Sequence, residues 1–279
     1  MTNPDIQAPP DLHVSGLWIY PLKSAAGIAV STSTLTDRGL VQDRRWMLID
    51  SQGEAITQRE APTLRLVTPV LHASGLTFTA PGMGQLTVEQ APDGAPVQAT
   101  MWKHPIAVVA APTSASDWFS AYLHRQCTLV YQPDSSHRFR GPPVNGTRLN
   151  LSDGNPVHLI SEASLADLNT RLTAPVDARR FRPNIVVRGT AAYAEDYWRR
   201  IRIGGIEFKV VESCGRCSII NVDEQGRGTG TVLKALASYR RWGNAVPFGQ
   251  HLEYQQHGRL GVGDRIEVLE TGDTPNPTG

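Results

Sequence analysis

Short apolar runs, each closed by Pro, Gly or a small polar residue, set the rhythm of the chain. His13 to Tyr20 is an apolar strand that stops at Pro21, and Ile28 to Leu35 alternates with β-branched residues, as a half-buried strand does. Trp46 to Ile49 and Ala55 to Thr57 flank Asp50-Ser51-Gln52-Gly53, a hairpin signal. Leu76 to Thr79, Leu86 to Val88, Val97 to Met101 and Ile106 to Ala111 continue the strands between Pro/Gly turns. In the second half Asn184 to Val187, Ile201 to Ile203, Ile206 to Val211, Ser218 to Val222, Gln250 to Tyr254 and Arg265 to Leu269 are strand-like. Gly204-Gly205 predicts a two-residue primed turn between two of them.

Helical spacing is rarer. Ser116 to Leu123 sets Trp118, Phe119, Tyr122 and Leu123 on one face with Ser116 as N-cap. Ser161 to Leu172 carries a Leu165, Leu168, Leu172 stripe, a Ser161 cap and Glu162 in the first turn. Thr231 to Tyr239 repeats the spacing with Val232, Leu233, Leu236 and Tyr239. Helices this sparse exclude an alternating βαβ fold. The expected class is α+β, mainly antiparallel β, a barrel with a few helices. The polar, Pro/Gly/Ser-rich stretch Gln132 to Arg148 divides residues 12–131 from 132–270 as two β domains. Met1 to Asp11 and Gly272 to Gly279 carry little to bury and are expected to be loose ends.

Composition narrows the function. With 279 residues, 40% hydrophobic and 19% charged, the chain can build a core without staples. Lys+Arg 27 against Asp+Glu 26 lacks the basic excess of a duplex-DNA binder, so no nucleic-acid partner is expected. No apolar run approaches the roughly 20 residues of a membrane span, and the polar, Pro-rich start lacks a secretory signal. Three cysteines, Cys127, Cys214 and Cys217, fit a reducing cytoplasm better than a disulfide scaffold.

The sharpest chemical feature is Ser213-Cys214-Gly215-Arg216-Cys217 at the end of a strand. Four readings stand: half a zinc site, a dithiol, inert burial, or a thiolate that ligates or attacks. Zinc lacks an evident fourth ligand, and the dithiol lacks the helix N-terminus it uses, since β-branched residues follow. Arg216 between the cysteines favours a thiolate. Lys23-Ser24 after a strand can hold a phosphate, although a solvated turn has the same composition. In Asp43-Arg44-Arg45-Trp46 the two arginines face opposite sides if extended, so one faces inward. In Arg182-Pro183-Asn184 the Arg and Asn lie on one side and can reach one anion.

Taken together in order, these runs resemble the MOSC superfamily, and more closely its branch of mitochondrial amidoxime-reducing components and bacterial counterparts. The resemblance rests on Leu17 to Ser24, Asp43-Arg44-Arg45-Trp46, Ser161 to Asn169 and Phe181 to Ile185. It continues through Glu195-Asp196-Tyr197-Trp198, Cys214-Gly215-Arg216-Cys217, Leu236 to Arg240, Phe248-Gly249-Gln250 and Val262-Gly263-Asp264. It implies an N-terminal MOSC-type β domain, a MOSC β-barrel and a molybdenum cofactor (Mo-molybdopterin) between them. By motif, Cys217 is the metal ligand and catalytic thiolate, and Cys214 is not a ligand. Lys23, Ser24, Arg44, Arg182, Asn184 and Arg216 fall at cofactor-contacting positions, with Gly215 and the loop Gly154-Asn155 as backbone contacts. The implied activity is reduction of small N-hydroxylated compounds: hydroxylamines, amidoximes or N-hydroxylated bases. Neither the membrane anchor of eukaryotic members nor the iron–sulfur domain of some bacterial ones is expected here. No Gly-x-Gly-x-x-Gly follows a strand. Electrons must then come from a separate flavin or iron–sulfur protein. The competing functions are a non-catalytic carrier of the cofactor, a cysteine-based sulfur-transfer protein, and a structural zinc protein.

Overall fold

Apolar segments from both ends of the chain pair into one eight-stranded sheet. The computed structural model that shows this describes residues 11–89, 91–140 and 147–276. In spatial order the sheet runs Ile28–Val30, His13–Ile19, Ile185–Arg188, Val157–Ser161, Pro247–Tyr254, Ile206–Gly215, Trp198–Ile203, Ile266–Thr271. One pairing is parallel, Val157–Ser161 with Ile185–Arg188. A parallel pair needs a crossover, and the helix Glu162–Asn169 supplies it. That helix begins where its sequence predicts: Ser161 Oγ accepts from Ser164 N at 3.0 Å, with Glu162 in the first turn. Buried Leu17, Ile185, Ile201, Ile203, Phe208 and Leu252 fill the sheet's core.

A five-stranded sheet, Pro96–Met101, His104–Ala110, Thr128–Tyr131, Trp46–Ile49 and Ala55–Ile56, forms the centre of the N-terminal half. Its core gathers Trp46, Leu48, Phe78, Phe119 and Leu129. The predicted hairpin is present: Asp50 Oδ1 accepts from Gln52 N and Glu54 N, and Gly53 sits at φ +80. The fold is α+β and mainly antiparallel, with α-helices Thr113–Leu123, Glu162–Asn169 and Thr231–Ala237 among the described residues. The halves are interleaved. His13–Ile19 and Ile28–Val30 lie in the sheet otherwise built by residues 157–271, and Thr32–Thr36 pairs with Gly258–Gly261.

Local expectations fail where tertiary pairing overrides propensity. Ile28 to Leu35 breaks at Ser31, because its two halves pair with different partners, Leu17–Ile19 and Gly258–Gly261. The first helix begins at Thr113 and Ser116 is not its cap; Ser116 Oγ accepts from Leu129 N, pinning the helix to a strand. The other two helices end earlier than expected, at Asn169 and Ala237. Ser218 to Val222 is not a strand but a 3-10 turn over Ser218–Asn221. It buries Ile220 against Phe181, Phe248, Val232 and Leu236, and Asn221 Oδ1 accepts from Leu233 N. The C-terminal segment is docked through Asn276: its amide nitrogen Nδ2 donates to Trp198 O and Gln250 Oε1. Met1 to Pro10 and residues 277–279 lie outside the described residues. The 132–148 connection carries a ribbon, Phe139–Arg140 with Thr147–Arg148, and its residues 141–146 lie outside the description. No described helix is long and apolar enough to cross a membrane.

Candidate functional site

One cavity of about 890 Å³ opens where the ends of the sheet strands meet the loops of the N-terminal half. It lies within the size range of small-molecule and cofactor sites. All ten residues singled out by motif line it: Lys23, Ser24, Arg44, Gly154, Asn155, Arg182, Asn184, Gly215, Arg216 and Cys217.

The N-terminal half contributes its cations through turns. Ser24 at φ +69 and Arg44 at φ +48 leave extended backbone, and Lys23 N donates to Trp46 O at 2.8 Å, tying the two turns together. Lys23 is buried; its Nζ donates to Leu151 O at 3.0 Å and to the Asp153 carboxylate. Burial lowers the Lys23 pKa while Asp153 opposes the shift, and Lys23 in turn holds the Asp153 carboxyl well below its usual range against burial. The expectation that only one of Arg44 and Arg45 faces inward is corrected. Both are largely buried, Arg44 into the cavity and Arg45 onto Gln132 O and Asp134, because Arg44 sits in left-handed backbone rather than in a strand.

Arg182 also sits at φ +55, just before its strand. Arg44 and Arg182 flank the buried Tyr20 ring at 4.8 and 4.3 Å. Arg182 Nη1 donates to Ala25 O, while its Nη2 is buried without a partner. Burial and then repulsion from Arg44 bring its pKa down to about 10. The Asn184 amide is used by backbone: Oδ1 accepts from His158 N and Nδ2 donates to Trp18 O.

The sulfur end is built by the strand Ile206–Gly215. Arg216 Nη1 donates to Cys214 Sγ at 2.8 Å and Nη2 to Phe181 O at 2.7 Å; its Nε is buried and unpartnered. Arg59 Nη2 donates to Cys217 Sγ at 3.1 Å, and its guanidinium lies 4.6 Å from the Trp102 ring centroid at the mouth. The two cysteines therefore stand in different surroundings, each with its own arginine. Burial pushes the Cys214 thiol up, but Arg216 and His251 outweigh it and bring the pKa to about 6. The turn after Cys217 removes the strand that had counted against a dithiol. Among the described residues no group of three His, Cys, Asp or Glu side chains could hold a metal by itself, which is what a structural zinc site requires.

Sequence reading missed a second set: Arg59, Arg138, Arg140, Asp153, His158, Glu212 and His251 line the same cavity. His158 and His251 are ladder partners, and His251 is in turn opposite Glu212. The latter pairing exists because the register slips between Val210 and Glu212, a β-bulge that re-aims one side chain. No local pattern signals such a bulge. In total seven Lys and Arg side chains face two carboxylates, Asp153 and Glu212, around the cavity. Such a wall suits an anion.

The domain description "MOSC N-terminal beta barrel domain" matches residues 11–126, and "MOSC domain" matches residues 146–267. The chain is similar to mitochondrial amidoxime reducing component 2 of Rattus norvegicus, 35% identical over 91% of this chain and 82% of that protein. It is 34% identical to mitochondrial amidoxime-reducing component 1 of Mus musculus, over 92% of this chain and 82% of that one. It is also 34% identical to molybdenum cofactor sulfurase of Oryza sativa subsp. japonica over 91% of this chain, which spans only 34% of that longer protein.

Proposed function

The chain belongs to the MOSC family, and from that premise we propose that it is a molybdenum-cofactor-dependent oxidoreductase that reduces N-hydroxylated compounds with electrons from a separate redox protein. One observation carries this reading: a thiol, Cys217, opens into a cavity where buried cationic donors, Arg182 Nη2 and Arg216 Nε, have no protein partner. Unpartnered buried donors are costly, so a wall that keeps them is built for an anion supplied from outside. A phosphate-bearing dithiolene cofactor meets that demand, and a soft thiolate suits molybdenum. When bound, the cofactor supplies the two-electron chemistry.

The residues then divide by what they already do. Arg182 and Arg216 keep donors free for the anion, with Arg44 beside them. Lys23 is held by Asp153 and adds charge rather than a free hydrogen bond. Arg59 fixes the Cys217 sulfur and is itself backed by the Trp102 ring, which also lines the cavity. Three free cysteines support a reducing compartment, which we read as the cytoplasm. The electron donor is a flavin or iron–sulfur protein that docks transiently near the mouth.

The test is elemental analysis for molybdenum and zinc on natively purified protein, followed by reduction of an aryl hydroxylamine or amidoxime with reduced viologen. Near one molybdenum per chain with turnover is expected. Molybdenum without turnover would favour a carrier of the cofactor, and zinc in its place would end the reading.

A further inference from the structure

The cavity wall carries an array of titratable side chains outside the ten residues singled out by motif. Three neighbouring strands set His158, His251 and Glu212 side by side on the wall. His251 Nδ1 lies 3.0 Å from Glu212 Oε1. Glu212 is itself immobilised: Arg140 donates to both of its oxygens at 2.6 and 2.7 Å, and Asn155 Nδ2 donates to Oε1 at 2.8 Å. Cys214, whose sulfur accepts from Arg216 Nη1 at 2.8 Å, lines the same wall. Glu212, His251 and Cys214 are thus each held by a second group, Arg140, Glu212 and Arg216 in turn, which is how a proton-handling site is built.

We propose that His251 is the general acid of this cavity, giving its proton to the oxygen that leaves nitrogen when an N-hydroxylated substrate is reduced, and that Glu212 is its positioning residue. The assignment rests on the reductase reading above. For a hydroxylamine the balance is R–NHOH + 2e⁻ + 2H⁺ → R–NH₂ + H₂O. The N–O bond breaks, the two electrons come from the docked redox protein, one proton converts the departing hydroxide to water, and one is gained by nitrogen. Without a donor the leaving group is hydroxide, which is why the first proton needs a positioned source. His251 is re-protonated from water at the cavity mouth.

The other wall residues are unsuited to the task. Arginines hold their protons too tightly, and Lys23 is committed to Asp153. His104 and His137 are exposed at the rim. His158, its ring centroid 5.6 Å from that of His251, is kept neutral by burial and by Arg216. Burial acts on His251 in the same direction, but Cys214 and Glu212 outweigh it and raise the pKa to about 9. Two adjacent histidines with pKa values driven apart are the mark of an acid assignment. The charged groups facing His251 are thus Glu212 and Cys214 in its favour, with Arg140 and Arg216 behind them and His158 uncharged.

The test uses holoprotein with reduced viologen and an aryl hydroxylamine, and pairs activity with a readout that needs no cofactor. His251→Ala should lower kcat by about a hundredfold or more with molybdenum content unchanged. Added imidazole should restore part of the rate, and the fall in wild-type rate near pH 9 should disappear. Glu212→Gln should move that alkaline fall to lower pH. In parallel, iodoacetamide labelling of Cys214 is followed against pH by mass spectrometry; trypsin cleaves after Arg216, so Cys214 and Cys217 are read in separate peptides. Labelling should begin near pH 6 in the wild type and shift upward in His251→Ala, or in His251→Gln if the first variant does not fold. A loaded His251→Ala with wild-type rate and pH profile overturns the acid role. An unshifted Cys214 labelling curve overturns the electrostatic coupling of Cys214 to His251 that helps keep His251 charged. A molybdenum-loaded wild type that reduces no N-hydroxylated compound overturns the reductase reading and the acid role together, while the labelling curve still reports the coupling.

Discussion

Arg182→Met separates a residue that serves the fold from one that serves a bound anion. It removes one of the two guanidinium groups flanking Tyr20, at 4.3 Å, and leaves Arg44 at 4.8 Å. Burial first, and Arg44 second, bring the Arg182 pKa well below the ordinary arginine value, to about 10. At 1.36 kcal/mol per unit, holding that charge in the folded chain without an anion costs on the order of 3 kcal/mol. The sign follows from a basic group whose folded pKa is depressed: the cost is fully present at pH 7 and fades only as pH rises through about 10. Against it stand the hydrogen bond to Ala25 O and the stacking on Tyr20, together about 2 kcal/mol. The cofactor-free Arg182→Met protein should therefore be as stable as the wild type or about 1 kcal/mol more stable. For a chain of this size that is a rise in Tm of at most about 3 °C. The same variant should purify with much less molybdenum. Calorimetry of the cofactor-free protein and metal analysis of the native one give the two numbers. A melting point more than about 4 °C below wild type would show that Arg182 is a strut of the fold, and full cofactor content would put the anion elsewhere.

Other substitutions test other parts of the site. Cys217→Ala or Cys217→Ser should abolish reduction of an N-hydroxylated substrate, while Cys214→Ser keeps a substantial fraction; equal loss in both would point to a dithiol. Lys23→Ala should lower stability by about 1 kcal/mol because it strands the Asp153 carboxylate, a cost that Arg182→Met lacks and that urea unfolding can read. Gly249→Ala should destabilise by 2 kcal/mol or more and lower the urea midpoint accordingly. Gly249 sits at φ +80, and a Cβ there would lie 2.5 Å from His158 Nε2 and 2.7 Å from Leu159 O; an unchanged midpoint would contradict that packing. The purified chain alone should not oxidise NADH or NADPH in the presence of a hydroxylamine but should turn over with reduced viologen; direct coupled NAD(P)H oxidation would remove the need for a partner protein.

What could be read in the sequence follows the range of the forces involved. The Ser161 cap, the Asp50–Gly53 turn and the alternating strands act within a few residues, so they are legible without the fold. The mainly antiparallel α+β class follows from their number and spacing. The ordered motifs also picked ten residues that the structure brings to one cavity wall, since those runs of several residues sit at the turns and strand ends that build it. The rest is set by pairing across long stretches of chain. Residues 13–30 enter a sheet made by residues 157–271, Ile28 to Leu35 divides between two partners, and Ser218 to Val222 curls to bury Ile220 in spite of its β-branched residues. Arg59 meets Cys217 across 158 positions of sequence. His251 meets Glu212 only because a bulge shifts the ladder by one residue, and a one-residue slip turns a side chain to the other face of a sheet. Propensity is a property of neighbours in the chain, whereas register and electrostatic surroundings are properties of neighbours in space. The charges that tune Cys214 and His251 therefore appear only in the folded structure.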